Sequence, residues 1–110
     1  MITTHILDTA IGRPAAGVPV QLERHEPAGW LLMGQGHTDD DGRLRTLTVA
    51  GPVAAGTYRL RFDTGSYFAA TGTAAFFPEV DIQFVIRDGA AHYHVPLLLS
   101  PFGYSTYRGS

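Results

Sequence analysis

Two histidines separated by one residue carry the clearest chemical signal in this sequence. His92 and His94 stand in the segment AHYHVPLLLS, and Val95, Leu97 and Leu99 occupy the alternate positions after them. Because successive side chains of a strand point to opposite faces, the histidines share one face and the apolar residues share the other. The apolar face belongs to the core, so the histidines point away from it. Histidine exchanges a proton near neutral pH, so the pair could line a catalytic pocket between subunits.

The His-x-His spacing is also typical of metal ligands. With His5 as a third ligand, three imidazoles could hold a zinc ion and leave one position open for water. The spacing alone does not bring His5 to the pair, and no carboxylate stands at a suggestive distance along the chain. We therefore predict no metal and no cofactor, and a zinc hydrolase remains as the alternative.

Two more segments carry polar or aromatic residues with chemical potential. Arg43 ends the segment TDDDGR, whose Asp-Gly pair predicts a turn at one end of a sheet, where binding residues commonly lie. The chain ends in YSTYRGS at residues 104–110, although loose chain ends are usually built from small polar residues. Tyrosine and arginine are instead residue types that are enriched at buried interfaces.

The elements that would position these residues are strands. An apolar residue at every second position predicts half-buried strands over Val18–Leu22, Tyr58–Phe62, Val80–Ile86 and Tyr93–Leu99, and Ile2–Leu7 and Trp30–Thr38 read as two more. Seven or eight short strands in this length indicate a β-sandwich, which we expect to form a single domain over residues 1–110.

Turn and cap residues refine this architecture. Asp88-Gly89 predicts a hairpin between two alternating runs, and Asp41-Gly42 predicts a second one. Thr64–Ala70 reads as the one helix, capped by Asp63 or Thr64. Pro96 cannot donate to a strand ladder, so it predicts an edge strand or a bulge.

Composition limits the possible partners and compartments. The chain has 110 residues, no cysteine and a formal net charge of −2, so disulfides, thiolate metal sites and a basic surface for nucleic acid or anionic membrane are excluded. No secretory signal or bilayer-spanning run is visible, which favours the cytoplasm. Only 16% of the residues are charged, and so sparse a charge predicts that an oligomer hides part of the surface.

Three stretches together resemble the 5-hydroxyisourate hydrolase family, the transthyretin-related enzymes of urate breakdown. They are ITTHILDTAIGRPAAGVPV at residues 2–20, TDDDGR at 38–43 and HYHVPLLLSPFGYSTYRGS at 92–110. The central segments GTYRLRFDTGSYF and FFPEV are also similar, so the resemblance covers essentially the whole chain. The ending YRGS after HVPLLLS is the feature that separates these hydrolases from transthyretin, the hormone carrier of the same fold.

The resemblance implies a set of site residues. The family's catalytic histidines fall on His5 and His94, and its catalytic arginine falls on Arg43. Ser110 would complete the catalytic group, and the residues expected to bind substrate or line the pocket are Tyr107, Arg108, Gly109 and His92.

The resemblance also implies a fold, an assembly and a reaction. The fold would be a transthyretin-like β-sandwich of two four-stranded sheets with one short helix. The assembly would be a homotetramer with active sites at subunit interfaces. Water would attack a ring carbonyl of 5-hydroxyisourate, with one of His5 and His94 taking its proton, and the ring would open to 2-oxo-4-hydroxy-4-carboxy-5-ureidoimidazoline. A non-enzymatic carrier of an aromatic small molecule on the same sandwich is the main rival.

Overall fold

Nine strands and one short helix make up the fold in the computed structural model, which describes all of residues 1–110. In chain order they are β1 (Ile2–Asp8), β2 (Arg13–Pro14), β3 (Pro19–Glu26), β4 (Gly29–His37), β5 (Arg43–Leu44), β6 (Gly56–Phe62), α1 (Thr64–Ala70), β7 (Val80–Ile86), β8 (Tyr93–Ser100) and β9 (Gly103–Thr106). Every strand that the alternation predicted is present, and the sandwich of two sheets with one helix is confirmed.

The two sheets differ in how their strands run. One sheet has the order β4-β3-β6-β7 and is antiparallel throughout. The other has the order β2-β1-β8-β9, with the two-residue β5 added to β1 beside β2. Its two central strands, β1 and β8, run parallel, and their register sets Thr3 opposite His94 and His5 opposite Pro96. The first long strand of the chain therefore lies beside the last long one.

The core fills the space between the sheets, as the alternation requires. Val95, Leu97 and Leu99 of β8 are buried and meet the fully buried Leu60 and Phe62 of β6 in one apolar cluster. Burying such a side chain contributes about 1.5–3 kcal/mol each, so this cluster fixes which face of β8 looks inward. The opposite face of β8 is thereby committed to the outer surface of its sheet.

The helix α1 covers one edge of the sandwich and has the predicted cap. The carboxylate of Asp63 accepts from the backbone N–H of Ser66 at 3.1 Å. Phe68 is buried in the core, and the hydroxyl of Tyr67 donates to the buried Asp8 of β1 at 2.8 Å. No helical segment of the chain reaches the length and hydrophobicity that crossing a bilayer requires.

The two hairpin predictions are wrong. Asp88-Gly89 does form a turn, but it joins β7 of one sheet to β8 of the other. Asp41-Gly42 likewise lies on the path from β4 to β5, which belong to different sheets. Gly89 is required for a different reason, because a Cβ there would stand 2.0 Å from the carbonyl oxygen of Val53 in the neighbouring loop.

The edge-strand prediction from Pro96 is also wrong, since β8 lies between β1 and β9. The hydrogen-bonded ladder between β8 and β9 ends at the pair Leu97–Thr106. Three residues before Leu97 and three after Thr106, His94 and Gly109 form an isolated bridge. Pro96 falls in that gap, where it has no donor to contribute. The final residues thus follow β8 in a continuing register.

Candidate active site

Three strands of the second sheet bring the predicted residues to its outer face. In β1, Thr3 and His5 alternate with inward residues, and β8 presents His94 directly opposite Thr3. The short β5 pairs Arg43 with His5 while its neighbour Leu44 is buried. A cleft of about 220 Å³ lies on this face, lined by Met1, Thr3, Thr4, Arg43, Arg45, His92, His94 and Ser110.

The hydroxyl of Thr3 connects the two histidines of the His-x-His motif. Its Oγ1 lies 2.9 Å from His92 Nε2 and 2.8 Å from His94 Nδ1. Thr3 is only 4% exposed, whereas His94 is half-buried and His92 is exposed. His92 contacts this oxygen through Nε2 and His94 contacts it through Nδ1. Because the oxygen belongs to a buried side chain, the two contacts fix the orientation of both rings.

His5 is held by the turn that follows β4. Its Nε2 donates to the backbone carbonyl of Asp41 at 2.8 Å. A carbonyl can only accept, so Nε2 carries a proton and Nδ1 of the neutral ring is left with a lone pair. His5 is thereby oriented beside Arg43 rather than joined to the other two histidines.

The turn in TDDDGR sets the position of Arg43. The carboxylate of Asp39 accepts from the backbone N–H groups of Asp41 and Arg43, each at 2.9 Å. These bonds, with that of Arg43 as the larger cause, hold the pKa of Asp39 below its ordinary value. Gly42 adopts a φ of 74°, and a Cβ there would stand 2.5 Å from the carbonyl oxygen of Ile6. The turn therefore closes tightly on β1 and directs Arg43 into the cleft.

The C-terminal segment closes one side of the cleft. The backbone N–H of Gly109 donates to the carbonyl of His94 at 2.8 Å, and Ser110 lines the cleft. A Cβ at Gly109 would lie 2.7 Å from Cδ2 of His94, so glycine is the residue that lets the chain pass against that ring. The ring of His94 is thus held between Thr3 on its Nδ1 side and Gly109 on its Cδ2 side.

Tyr107 and Arg108 lie elsewhere within the single chain. The guanidinium carbon of Arg108 stands 4.4 Å from the ring centre of Tyr93, which points to the opposite face of β8 from His94. Both tail residues line a separate groove of about 300 Å³ against β7. One chain therefore lines the cleft with Arg43, His92, His94 and Ser110, and it places His5 beside Arg43 and Gly109 against His94. Substrate binding by Tyr107 and Arg108 stays a prediction.

The cleft is positive and contains no acidic side chain among its lining residues. Burial is the main cause that lowers the pKa of His94 below its ordinary value, and the charges of Arg43, His5, His92 and Arg45 lower it further, in that order. The lowered pKa favours the neutral form of His94, which is the form that can accept a proton. An anion that enters would meet two guanidinium groups and an unprotonated imidazole.

The three-histidine zinc site that the sequence left open is not assembled within the chain. No group of three or more histidine, cysteine, aspartate or glutamate side chains is placed to hold a metal ion. His5 instead uses Nε2 on Asp41, and His94 uses Nδ1 on Thr3.

Comparison with known proteins identifies the family. Residues 2–109 match the family described as the HIUase/Transthyretin family. This chain belongs to that family. The "5-hydroxyisourate hydrolase" of Salmonella dublin is 49% identical over 110 residues, which cover 100% of this chain and 81% of the relative. The structure of Klebsiella pneumoniae 5-hydroxyisourate hydrolase is similar with a TM-score of 0.88 and 42% identity, covering 99% of this chain and 97% of that chain.

The HIUase/Transthyretin family also includes proteins named as transthyretins. The crystal structure of transthyretin from Sparus aurata superposes with a TM-score of 0.91 at 33% identity, covering 98% of this chain and 95% of that chain. Since both kinds of family member share this sandwich, the fold alone does not separate an enzyme from another kind of protein. The side chains in the cleft must make that distinction.

Four residues that line the cleft were not predicted from the sequence, namely Met1, Thr3, Thr4 and Arg45. Thr3 shares a strand face with His5, so the period of two could have placed it beside the histidines once the pairing of β1 with β8 was known. Arg45 lines the cleft together with Arg43, from which it is separated by the buried Leu44.

Proposed function

We propose that this chain catalyses the hydrolysis of 5-hydroxyisourate to 2-oxo-4-hydroxy-4-carboxy-5-ureidoimidazoline in urate degradation. The observation that carries the proposal is the convergence of Arg43, His94 and Ser110 on one cleft. Full-length similarity to proteins named for this activity supports it. The protein is then a cyclic amide hydrolase that needs no metal.

The first step is the activation of water. His94 takes a proton from a water molecule through Nε2, the ring nitrogen that Thr3 leaves free, while the water oxygen attacks the ring carbonyl. A general base of this kind contributes about 10²–10⁴ in rate, provided that it is unprotonated at the working pH. The depressed pKa of His94 meets that condition.

The second step is the breakage of the ring carbon–nitrogen bond. Negative charge that develops on the carbonyl oxygen is stabilised by Arg43, whose position is fixed by the Asp39 turn before substrate arrives. The departing nitrogen receives the proton that His94 took from water, and the ring opens to a carboxylate. Arg45 adds positive charge for the anionic substrate, and the Ser110 hydroxyl offers a hydrogen bond at the rim.

Assembly completes the site in this proposal. A homotetramer places a partner subunit over the exposed His92 and the open side of the cleft, and it brings tail residues Tyr107 and Arg108 of one subunit toward the substrate of another. Covering the cleft would exclude bulk water and strengthen the interactions of Arg43 with charge on the substrate.

A direct assay tests this function. Urate oxidase generates 5-hydroxyisourate in the cuvette, and its absorbance decay is followed with and without the protein, in the presence of a chelator. We expect decay to accelerate in proportion to protein. We expect His94→Ala and Arg43→Ala to lose about 10²–10³ in kcat/KM while assembly is unchanged.

Matched controls separate the site from general effects of substitution. His25→Ala removes a histidine that packs against Trp30 on the other sheet, and Arg13→Ala removes an exposed arginine of β2. Both should retain activity. Unchanged substrate decay with well-folded wild-type protein would refute the hydrolase, and equilibrium dialysis against thyroid hormone would then test the carrier alternative.

A further inference from the structure

The Thr3 hydroxyl has a single proton for its contacts to two histidines. It has one proton and two lone pairs, and it meets His94 Nδ1 at 2.8 Å and His92 Nε2 at 2.9 Å. Two neutral histidines cannot both accept from a single hydroxyl proton. At least one of the two rings must therefore donate its own N–H to the Thr3 oxygen.

Three proton arrangements satisfy these contacts, and they differ in their consequences for His94. If both rings donate to the two lone pairs of the Thr3 oxygen, Nε2 of His94 keeps a lone pair and the Thr3 proton points elsewhere. If Thr3 donates to His92, then His94 donates Nδ1–H to Thr3, and Nε2 of His94 keeps a lone pair. If Thr3 donates to His94, then Nε2 of His94 carries the proton and cannot act as a base. The position of one hydroxyl proton thus decides what His94 can do.

The surroundings of His94 leave only Nε2 for chemistry. Nδ1 is engaged by the buried Thr3, and the Cδ2 edge of the ring lies against Gly109. A half-turn flip of the ring would put Cδ2 in the place of Nδ1 and would break the contact with Thr3. Whatever proton His94 exchanges with a molecule in the cleft must pass through Nε2.

We propose that Thr3 is a positioning residue that holds His94 in the tautomer with a protonated Nδ1 and an unprotonated Nε2, by donating its own proton to His92. The choice of this arrangement rests on the proposed function, which needs an unprotonated Nε2 on His94. The tautomer itself is a property of the resting protein. In this arrangement His92 acts through Thr3, as the acceptor at the end of a chain of hydrogen bonds.

Three variants test the role of the hydroxyl. Thr3→Val keeps the branched shape that suits a strand and removes the hydroxyl, whereas Thr3→Ser keeps the hydroxyl. Thr9→Val is the matched control, because it removes a threonine hydroxyl that follows the end of β1 and donates to the carbonyl of Leu99 in β8, away from the histidines. We expect Thr3→Val to lower kcat about 10- to 100-fold with little change in KM, since the imidazole remains but its tautomer is no longer fixed. Thr3→Ser and Thr9→Val should stay within about threefold of the wild type.

Nitrogen-15 NMR of histidine-labelled protein reads the tautomer without substrate. In the full-length wild type, we expect the protonated-nitrogen signal of His94 on Nδ1 and the unprotonated signal on Nε2. In Thr3→Val, we expect the two signals to move toward the average of mixed tautomers. A His94 that is protonated on Nε2 in the wild type would overturn the assignment.

The outcomes distinguish this inference from the proposed function. A wild type that does not accelerate the decay of 5-hydroxyisourate refutes the function, and NMR then still decides the tautomer. An active wild type with a fully active, well-folded Thr3→Val variant refutes the positioning role alone. Loss of activity in Thr3→Ser equal to that in Thr3→Val would mean that shape, not the hydroxyl, is what matters, and would also overturn it.

Discussion

Gly109 and His94 form a paired contact in which the glycine N–H donates to the histidine carbonyl at 2.8 Å and the glycine α-carbon faces the imidazole edge. An alanine at this position would bring its Cβ to 2.7 Å from Cδ2 of His94, so the ring or the tail must move. Because a displacement of about 1 Å can cost about 100-fold in rate, we expect Gly109→Ala to fold normally and to lose activity on that scale. Steady-state kinetics and thermal melting measure the two effects.

Gly103→Ala is the control for that substitution. Gly103 belongs to β9, and the nearest atom to a Cβ there is Ser100 Oγ at 3.7 Å, which is ordinary van der Waals contact. We expect this variant to keep its activity. Equal losses in the two variants would show that any alanine in the C-terminal segment is harmful, and the specific contact with His94 would lose its support.

The charge of Arg43 should be visible in the titration of His94. The pKa of His94 lies below its ordinary value of 6.5, chiefly through burial and next through Arg43. The acidic limb of the activity profile should therefore have its midpoint below that value. Arg43→Gln should raise the pKa of His94, and Arg45→Gln should raise it less, since Arg45 is the weakest of the five causes. Histidine NMR measures both shifts, and a pKa of His94 unaffected by Arg43→Gln would contradict the ranking.

Replacing Asp39, whose carboxylate holds the turn before Arg43, should lower activity and change how stability depends on acidic pH. Asp39→Ala removes the carboxylate that accepts from the backbone of Asp41 and Arg43, so Arg43 would no longer be fixed. The depressed pKa of Asp39 means that its contribution to stability is present above its ordinary value of 3.8 and is lost as pH falls through the lower, folded value. Urea unfolding at a series of pH values should show this dependence in the wild type and less of it in the variant. Asp40→Ala removes an exposed neighbouring carboxylate that makes no such contacts and should change neither property.

The bond between Tyr67 and Asp8 predicts a variant that loses stability but keeps activity. Tyr67→Phe removes the donor to a buried carboxylate, which costs about 1–3 kcal/mol, and it lies far from the cleft residues along the chain. Burial, followed by the bond to Asp8, raises the pKa of Tyr67 to about 12. Its stabilising contribution is thus complete below the ordinary value of 10.0 and is lost as pH rises toward 12.

Alkaline unfolding measures that loss. The wild type should become less stable above pH 10 through Tyr67, and Tyr67→Phe should lack this component. Tyr104→Phe serves as the control, because Tyr104 is 43% exposed and packs edge-on against Phe77. A Tyr67→Phe variant as stable as the wild type would mean that the buried Asp8 does not need this donor.

Local signals in the sequence predicted local structure well. The alternation in β8 correctly separated the buried Val95, Leu97 and Leu99 from the outward histidines, because period and burial are properties of one strand. The cap at Asp63 was equally readable, since its donor lies only three residues away. The positions of His5, Arg43 and His94 on one face were expected only through the family resemblance.

Pairing between distant segments could not be read in the same way. Asp88-Gly89 has the composition of a hairpin, but whether two strands share a sheet depends on partners elsewhere in the chain. Pro96 predicted an edge strand or a bulge, because the sequence does not reveal that the tail leaves the ladder opposite it. Thr3 was overlooked because its role depends on contacts with two histidines that are 89 and 91 residues away in the sequence.

The parallel pairing of β1 with β8 has a consequence for the order of events in folding. Pairing residues separated by about 90 positions requires closing almost the whole chain into one loop, and such non-local contacts form slowly. The other sheet is made of antiparallel strands from the middle of the chain and can assemble earlier, without β1 and β8. During synthesis, β1 must wait for β8 to leave the ribosome before it gains this neighbour. Catalytic competence should therefore be the last property that a newly made molecule acquires.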